Sequence, residues 1–207
     1  MNASGLNQGT SGNISVRAGD AMLITPSAVP YDDMTPDMIA AMPLKAKGGK
    51  WEGPRKPSSE WRFHRDILRA RPEINAVVHA HPTYCTALAM CRKLIPPAHY
   101  MIAAFGGSDV RCSGYATFGT AALSKEALGA LQDRTACLLA NHGMIALGET
   151  LERAMWRAVE LETLARQYWS TLQMGGPVLL TEAEIADAAK GFAGYGAGAA
   201  TDQKAKR

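Results

Sequence analysis

The chain has 207 residues, of which 47% are hydrophobic and 20% are charged, and its net charge is +3. This length and composition are typical of one folded globular domain and exclude a disordered or fibrous protein. The positive charge is spread along the sequence and clusters only at 204–207, which excludes an extended nucleic-acid or membrane surface.

The cysteines point to a reducing compartment. The chain has Cys85, Cys91, Cys112 and Cys137, without a CxxC pair, and no signal peptide precedes them. Free thiols in the cytoplasm are therefore expected. No apolar run approaches the roughly 18 residues that a membrane-spanning helix needs.

The N-terminal part of the chain predicts a loop followed by a β-hairpin. The stretch GLNQGTSGN is rich in Gly, Asn, Ser and Thr, and an alternating strand pattern begins at Ile14. Residues 21–27, AMLITPS, form the partner strand, with the turn near Gly19.

A flexible stretch at 47–61 leads into a helix. Ser58 or Ser59 is expected to cap this helix, which must end before Pro72 because a residue that precedes proline avoids helical geometry. Glu60 lies in the first turn. By itself such a carboxylate indicates stabilisation of the helix dipole, whereas beside a metal ion it would be a general base.

Two histidines follow in a short apolar strand, AVVHAH, at 76–81. Strand side chains alternate between faces, so His79 and His81 point the same way and both imidazoles can reach one ion. Taken alone, the pair fits equally well two hydrogen-bonded histidines in a half-buried strand.

The remainder of the chain alternates helices and strands. The predicted elements are a helix at 83–91, a strand at 98–107, a helix from Ser124 to Asp133, a strand pair at 135–148, a helix at 151–172 capped by Thr150, and a last helix opened by the capping box Thr181–Glu184. Such interspersed elements predict a layered α/β domain.

A third histidine completes a candidate metal site. His142 lies at the hinge of the predicted strand pair, followed by a glycine that lets the backbone turn sharply. Three neutral imidazoles suit Zn²⁺ and leave a coordination position open, which is typical of catalytic zinc. The alternative is a turn or core histidine.

Several loops carry small polar groups. Ser58, Ser59, the pair Gly12–Asn13 and the loop Thr25–Ser27 offer hydroxyls, amides and backbone N–H groups. Such groups bind phosphate without basic charge, especially at a helix start. Each of them also fits an ordinary cap or turn.

Seven motifs, in chain order, resemble those of the class II aldolase/adducin family: GLNQGTSGNISVR, MLITPS, PSSEWRFH, AVVHAHP, HYMIAAFGG, YATFGT and NHG. The resemblance implies one domain over 1–207, an α/β fold with a three-layer α/β/α sandwich and a mostly antiparallel central sheet, and a homotetramer with active sites between subunits. The family's usual N-terminal helix is missing from this sequence, and a mobile tail is expected at about 196–207.

The resemblance also implies roles for individual residues. His79, His81 and His142 match zinc ligands, and Glu60 matches the catalytic acid/base, which can also touch the metal. The implied phosphate-binding residues are Asn13, Ser27, Ser58 and Ser59, with backbone from Gly12 and from Ala28, which stands where the family has glycine. Three further positions match a proton donor to the neighbouring subunit's site (Tyr100), an apolar wall (Phe118) and a C-terminal tyrosine of the substrate pocket (Tyr195).

The activity implied is zinc-dependent cleavage of a ketose 1-phosphate, such as L-fuculose 1-phosphate, into dihydroxyacetone phosphate and an aldehyde such as L-lactaldehyde. Related alternatives are aldolases of other 5-deoxy or 5-thio ketose phosphates, sugar-phosphate epimerases and dehydratases. A zinc-free, adducin-like interaction domain is an alternative of another class. The presence of all three histidines and Glu60 argues against that last alternative.

Overall fold

The computed structural model describes residues 1–194, so Tyr195 and the tail at 196–207 lie outside the described residues. The strands are β1 (Asn13–Ala18), β2 (Ala21–Ile24), β3 (Ala40–Pro43), β4 (Ala76–Ala80), β5 (Ala136–Leu139) and β6 (Gly143–Gly148). The α-helices are α1 (Trp61–Ala70), α2 (Thr83–Met90), α3 (Ala121–Ala130), α4 (Leu151–Leu172) and α5 (Glu182–Gly194). No helix in the described part of the chain is both long and apolar enough to cross a membrane.

The six strands form one sheet in the order β3-β2-β1-β4-β6-β5, and every neighbouring pair is antiparallel. Each face of the sheet carries its own hydrophobic core. Helices α2 and α4 cover one face, with Val78 of β4 in the core, and α1 and α3 cover the other, with Val77. This arrangement confirms the three-layer α/β/α sandwich.

Several predicted elements are confirmed. Helix α4 spans 151–172, and Thr150 caps it by accepting a hydrogen bond from the backbone N–H of Arg153. The capping box of α5 is formed by reciprocal bonds between Thr181 and Glu184. The hairpin of β1 and β2 and the antiparallel pair of β5 and β6 are also as expected.

The strand predicted at 98–107 is wrong. Tyr100–Phe105 forms a 3-10 helix, with the His99 side chain accepting from the backbone N–H of Met101. Ile102 and Phe105 are the buried residues of this segment. Their spacing of three matches one turn of a 3-10 helix, whereas strand residues three apart point to opposite faces.

Two helix starts also differ from expectation. The N-cap of α1 is Glu60, although the Ser58 hydroxyl accepts from the Glu60 backbone N–H. Helix α3 begins at Ala121 because the Thr120 hydroxyl accepts from the N–H of Leu123, so Ser124 lies inside the helix. Strand β3 was not expected, since its short sequence AAMP has no β-branched residue.

The register of the central strands sets up the functional site. Asn13 on β1 lies directly opposite His79 on β4, and Ser15 lies opposite Val77. Residues paired across a sheet share a face. The side chains of Asn13, Ser15 and His79 therefore point toward α1, the helix that follows Glu60.

Candidate active site

Four side chains converge at one end of β4. The ligand atoms of Glu60, His79, His81 and His142 all lie within 4.8 Å of one another. His79 Nε2 is 2.9 Å from His81 Nε2 and 3.1 Å from Glu60 Oε2. Glu60 Oε1 lies 3.3 Å from His142 Nε2. The structure thus brings together the four residues predicted to be metal ligands.

Local backbone geometry positions these groups. His79 is on β4 and His81 follows directly after the strand, so both imidazoles share one face. His142 reaches them from the turn before β6, where Asn141 has a left-handed φ of 55°. A Cβ on Gly143 would lie 2.5 Å from the Ala80 carbonyl oxygen. Only glycine therefore permits this close approach of β6 to β4.

The protonation of the imidazoles suits metal binding. The Met144 carbonyl can only accept a hydrogen bond, so His79 Nδ1, 2.8 Å away, carries a proton and Nε2 faces the cluster. Burial lowers the pKa of His81 and of His142 to about 4. Both are therefore neutral at pH 7, with lone pairs available for a cation.

Glu60 contributes the negative charge. Burial raises the pKa of its carboxyl, but the electrostatic interactions with His79 and His142, together with hydrogen bonds from His79 and Asn13, outweigh burial and hold that pKa well below its usual range. The ionised carboxylate would therefore be a favourable ligand for a cation beside the three imidazoles.

The residues fit a divalent cation. Glu60 Oε1 is buried and accepts no hydrogen bond from the described residues. Tetrahedral zinc with bonds of ~2.0–2.1 Å places its ligand atoms roughly 3.3 Å apart. The three measured separations of 2.9, 3.1 and 3.3 Å are close to that value. A bound cation would therefore give the unsatisfied Glu60 oxygen a partner and coordinate the converging nitrogens.

A cavity of about 340 Å³ opens beside the cluster. Its lining combines hydroxyls, amides, backbone and two aromatic rings, and comprises Thr10, Ser11, Gly12, Asn13, Pro26, Ser27, Ala28, Ser58, Ser59, Glu60, His81, Tyr115, Ala116, Phe118, Asn141 and His142. No lysine or arginine is among these lining residues. An anion bound here would therefore be held mainly by neutral hydrogen-bond donors.

The predicted phosphate-binding residues all line this cavity. The backbone N–H of Ser27 donates to Lys56 and that of Ser58 donates to Thr25, so these two amides hold the loops together. Side-chain hydroxyls at these two positions are then the groups left for a ligand. Ala28 has a φ of 57°, which keeps the left-handed backbone that glycine adopts more easily.

Two aromatic rings also line the cavity. Phe118 is 63% exposed and Tyr115 is 59% exposed, and both line the cavity. Sequence reasoning missed Tyr115, although it belongs to the same YATFGT motif as Phe118. It also missed Asn141, whose position directly before His142 was the available signal.

Tyr100 lies elsewhere within the chain. It is 53% exposed and stacks on Phe192 of α5, with ring centroids 6.2 Å apart. It lines a separate cavity of about 700 Å³ between its 3-10 helix, α4 and α5. The described residues of one chain therefore do not bring Tyr100 to the histidine cluster, and Tyr195 lies outside them.

Comparison with known proteins agrees with this geometry. Residues 1–169 match the family described as Class II Aldolase and Adducin N-terminal domain. A 5-methylthioribulose-1-phosphate/5-deoxyribulose-1-phosphate aldolase of Rhodospirillum rubrum is 53% identical, over 93% of this chain and 86% of the relative. The L-fuculose phosphate aldolase of Escherichia coli K12 is 48% identical, over 95% and 90%. A solved L-fuculose 1-phosphate aldolase superimposes with a TM-score of 0.88 at 39% identity, covering 92% of this chain and 90% of that one.

Proposed function

This chain belongs to the class II aldolase and adducin family and is a lyase, and from that premise we propose that it cleaves a ketose 1-phosphate into dihydroxyacetone phosphate and an aldehyde. One observation carries the proposal: a cluster of three histidines and Glu60 borders a cavity lined by neutral hydrogen-bond donors. Such a cavity suits the phosphate of a substrate. The carbon atoms next to that phosphate would then lie beside the cluster, where a bound cation could act on their oxygens.

The metal in this proposal is one zinc ion per chain, held by His79, His81 and His142, with Glu60 as a further ligand. Nitrogen ligands from three imidazoles favour zinc over magnesium or calcium, which prefer oxygen. A bound divalent ion would act as a Lewis acid that stabilises negative charge on the substrate oxygens when the carbon–carbon bond breaks.

Glu60 is the proposed proton carrier at carbon. Breaking the bond between C3 and C4 leaves the electron pair on C3 of the dihydroxyacetone phosphate half, and this carbon must then receive a proton. The carboxylate lies beside the three histidines and is almost entirely shielded from water. It can therefore exchange a proton with the reacting carbon without competition from solvent.

The hydroxyl on C4 loses its proton in the same reaction. We assign this proton to Tyr100 of a neighbouring chain, since within one chain the phenol lies against α5, away from the cavity. In the condensation direction the phenol donates to the aldehyde oxygen. This role requires an oligomer with sites at subunit boundaries, and we propose a homotetramer.

The phosphate is proposed to bind the hydroxyls of Ser27, Ser58 and Ser59 and the loop at Gly12–Asn13 and Ala28. Asn13 is 5% exposed, and its amide already contacts Glu60 and a second side chain. It therefore offers a ligand at most one N–H.

The four cysteines are free thiols, which supports a cytoplasmic location.

The proposed substrates are ribulose 1-phosphates that have no hydroxyl at C5, namely the 5-deoxy and the 5-methylthio compounds. The aromatic rings of Tyr115 and Phe118 support this choice, because both expose more than half of their surface beside the cavity and favour a methyl or thioether group over a hydroxyl. The similarity to the Rhodospirillum rubrum enzyme points the same way. L-Fuculose 1-phosphate is the second candidate.

The test is a substrate panel assayed for release of dihydroxyacetone phosphate. It contains 5-deoxyribulose, 5-methylthioribulose and L-fuculose 1-phosphates, with ribulose 5-phosphate as a control that lacks the 1-phosphate. We expect kcat/KM for the first two to exceed that for L-fuculose 1-phosphate by about tenfold. Epimerisation of ribulose 5-phosphate without release of dihydroxyacetone phosphate from any panel member would refute the proposal.

A further inference from the structure

His64 is a buried histidine that is not one of the candidate metal ligands. Of the five histidines, three belong to the cluster and His99 caps the 3-10 helix. His64 is 0% exposed and lies on α1, four residues after Glu60. Positions four apart share one face of a helix. The two side chains therefore face the sheet together.

A chain of hydrogen bonds joins His64 to Glu60. Ser15 Oγ lies 2.8 Å from His64 Nδ1, and His64 Nε2 contacts Asn13 Oδ1. Asn13 Nδ2 then donates to Glu60 Oε2 across 3.0 Å. All four residues are buried. In addition, the Phe63 ring stacks on His64 and packs edge-on against His79, which keeps these hydrogen-bonded side chains away from solvent.

The donors and acceptors among these groups allow only one direction for this series of hydrogen bonds. A carboxylate oxygen only accepts hydrogen bonds, so the NH₂ end of Asn13 must face Glu60 and its oxygen must face His64. His64 Nε2 must then carry the proton, and Nδ1 must accept from the Ser15 hydroxyl. Burial lowers the pKa of His64 to about 3, consistent with this neutral ring.

We propose that His64 is a positioning residue for the proton carrier: by donating from Nε2 it fixes the amide of Asn13, which in turn fixes the carboxylate of Glu60 against the histidine cluster. This inference rests on the proposed role of Glu60. Without the Nε2 donor, the Asn13 oxygen loses its partner and the amide is held only by Glu60. The amide and the carboxylate can then move together, and the carboxylate loses its fixed position.

Two substitutions of similar polarity separate this role from simple packing. In His64→Gln the amide nitrogen reaches the place of Nε2, so a donor to Asn13 is kept. In His64→Asn the shorter amide reaches only the place of Nδ1, so that donor is lost. The readout is exchange of the carbon-bound hydrogen of dihydroxyacetone phosphate with D₂O, followed by NMR, because this half-reaction isolates the proton carried by Glu60.

We expect His64→Asn to lower the exchange rate per zinc-loaded site by about 10²-fold, since misplacement of a reacting group by about 1 Å costs that much. Zinc should stay bound through the three histidines, and the KM for the ketose phosphate should change less than the exchange rate, because the serine hydroxyls of the proposed phosphate site do not contact His64. His64→Gln should keep the rate within about threefold of the unsubstituted protein. Wild-type exchange in His64→Asn, or an equal loss in both variants, would overturn the inference.

A second measurement does not depend on catalysis or on the folding of a variant. The ¹⁵N shifts of the His64 ring in the unsubstituted protein should show a proton on Nε2 and none on Nδ1, and the reverse pattern would overturn the inference. Failure of the proposed function looks different. It would appear as an unsubstituted protein that neither cleaves any ketose 1-phosphate nor exchanges the hydrogen of dihydroxyacetone phosphate.

Discussion

Replacing Gly12 with alanine tests the packing between the predicted phosphate loop and β4, the strand that carries the candidate metal ligand His79. Gly12 has a φ of 74°, and a Cβ there would lie 2.4 Å from Asn7 Nδ2 and 2.6 Å from the His79 carbonyl oxygen. The Asn7 amide is itself held, because its oxygen accepts from the backbone N–H of His81. The added methyl group therefore cannot be accommodated by one flexible side chain.

The expected cost has two parts. Left-handed backbone costs a non-glycine residue ~1–2 kcal/mol, and overpacking of a filled site costs ~1–3 kcal/mol. The free energy of unfolding of Gly12→Ala should thus fall by about 2–5 kcal/mol. Gly9→Ala is the matched control, since Gly9 lies in the same loop with a φ of 61° but has no atom within 4 Å of an added Cβ. Gly9→Ala should lose only the free energy that left-handed backbone costs, ~1–2 kcal/mol.

Urea unfolding of the metal-free proteins, followed by circular dichroism, measures both losses at once. Removal of the metal matters because a ligand bound only by the folded state would add its own stabilisation. In the zinc-loaded enzyme, Gly12→Ala should also raise the KM for the ketose phosphate more than Gly9→Ala does. Equal losses of stability in the two variants would refute the reasoning, since the close contacts at Gly12 would then have no energetic consequence.

Four further predictions concern the site. His81→Ala should lose its zinc, as measured by elemental analysis, whereas His99→Ala should keep a full complement; retention of zinc by His81→Ala would remove His81 from the ligand set. Glu60→Gln should lower turnover by about 10²–10⁴-fold while zinc stays bound, and an unchanged turnover number would assign the proton to another group. Tyr100→Phe and Glu60→Gln, each inactive alone, should regain activity when dissociated and reassembled together; mixed oligomers without activity would exclude a site shared between subunits. Ala28→Gly should raise the free energy of unfolding by ~1 kcal/mol because it relieves left-handed strain, and a loss of stability in urea unfolding would contradict this.

Elements whose signals are local were well predicted from the sequence. Helix α4 follows from a long 3.6-residue apolar period and from the Thr150 cap, and both signals lie within the helix itself. The segment at 98–107 carries no such signal, because apolar residues alone do not distinguish a strand from a short helix. Its 3-10 conformation depends on burial of Ile102 and Phe105 against other elements. Strand β3 likewise forms through its pairing with β2.

By itself, the sequence determined that His79 and His81 share a face, because strand alternation is a property of the backbone. It also determined that the loops at Gly12 and Ser58 carry neutral groups suited to a phosphate. Only the tertiary structure decided that Glu60 and His142 meet those histidines, since their approach requires α1 to pack on the sheet and β6 to pair with β4. The hydrogen bonds from His64 to Glu60 were likewise decided by the tertiary structure, because they join residues 47 to 51 positions apart and depend on how α1 packs against the sheet, not on any local pattern.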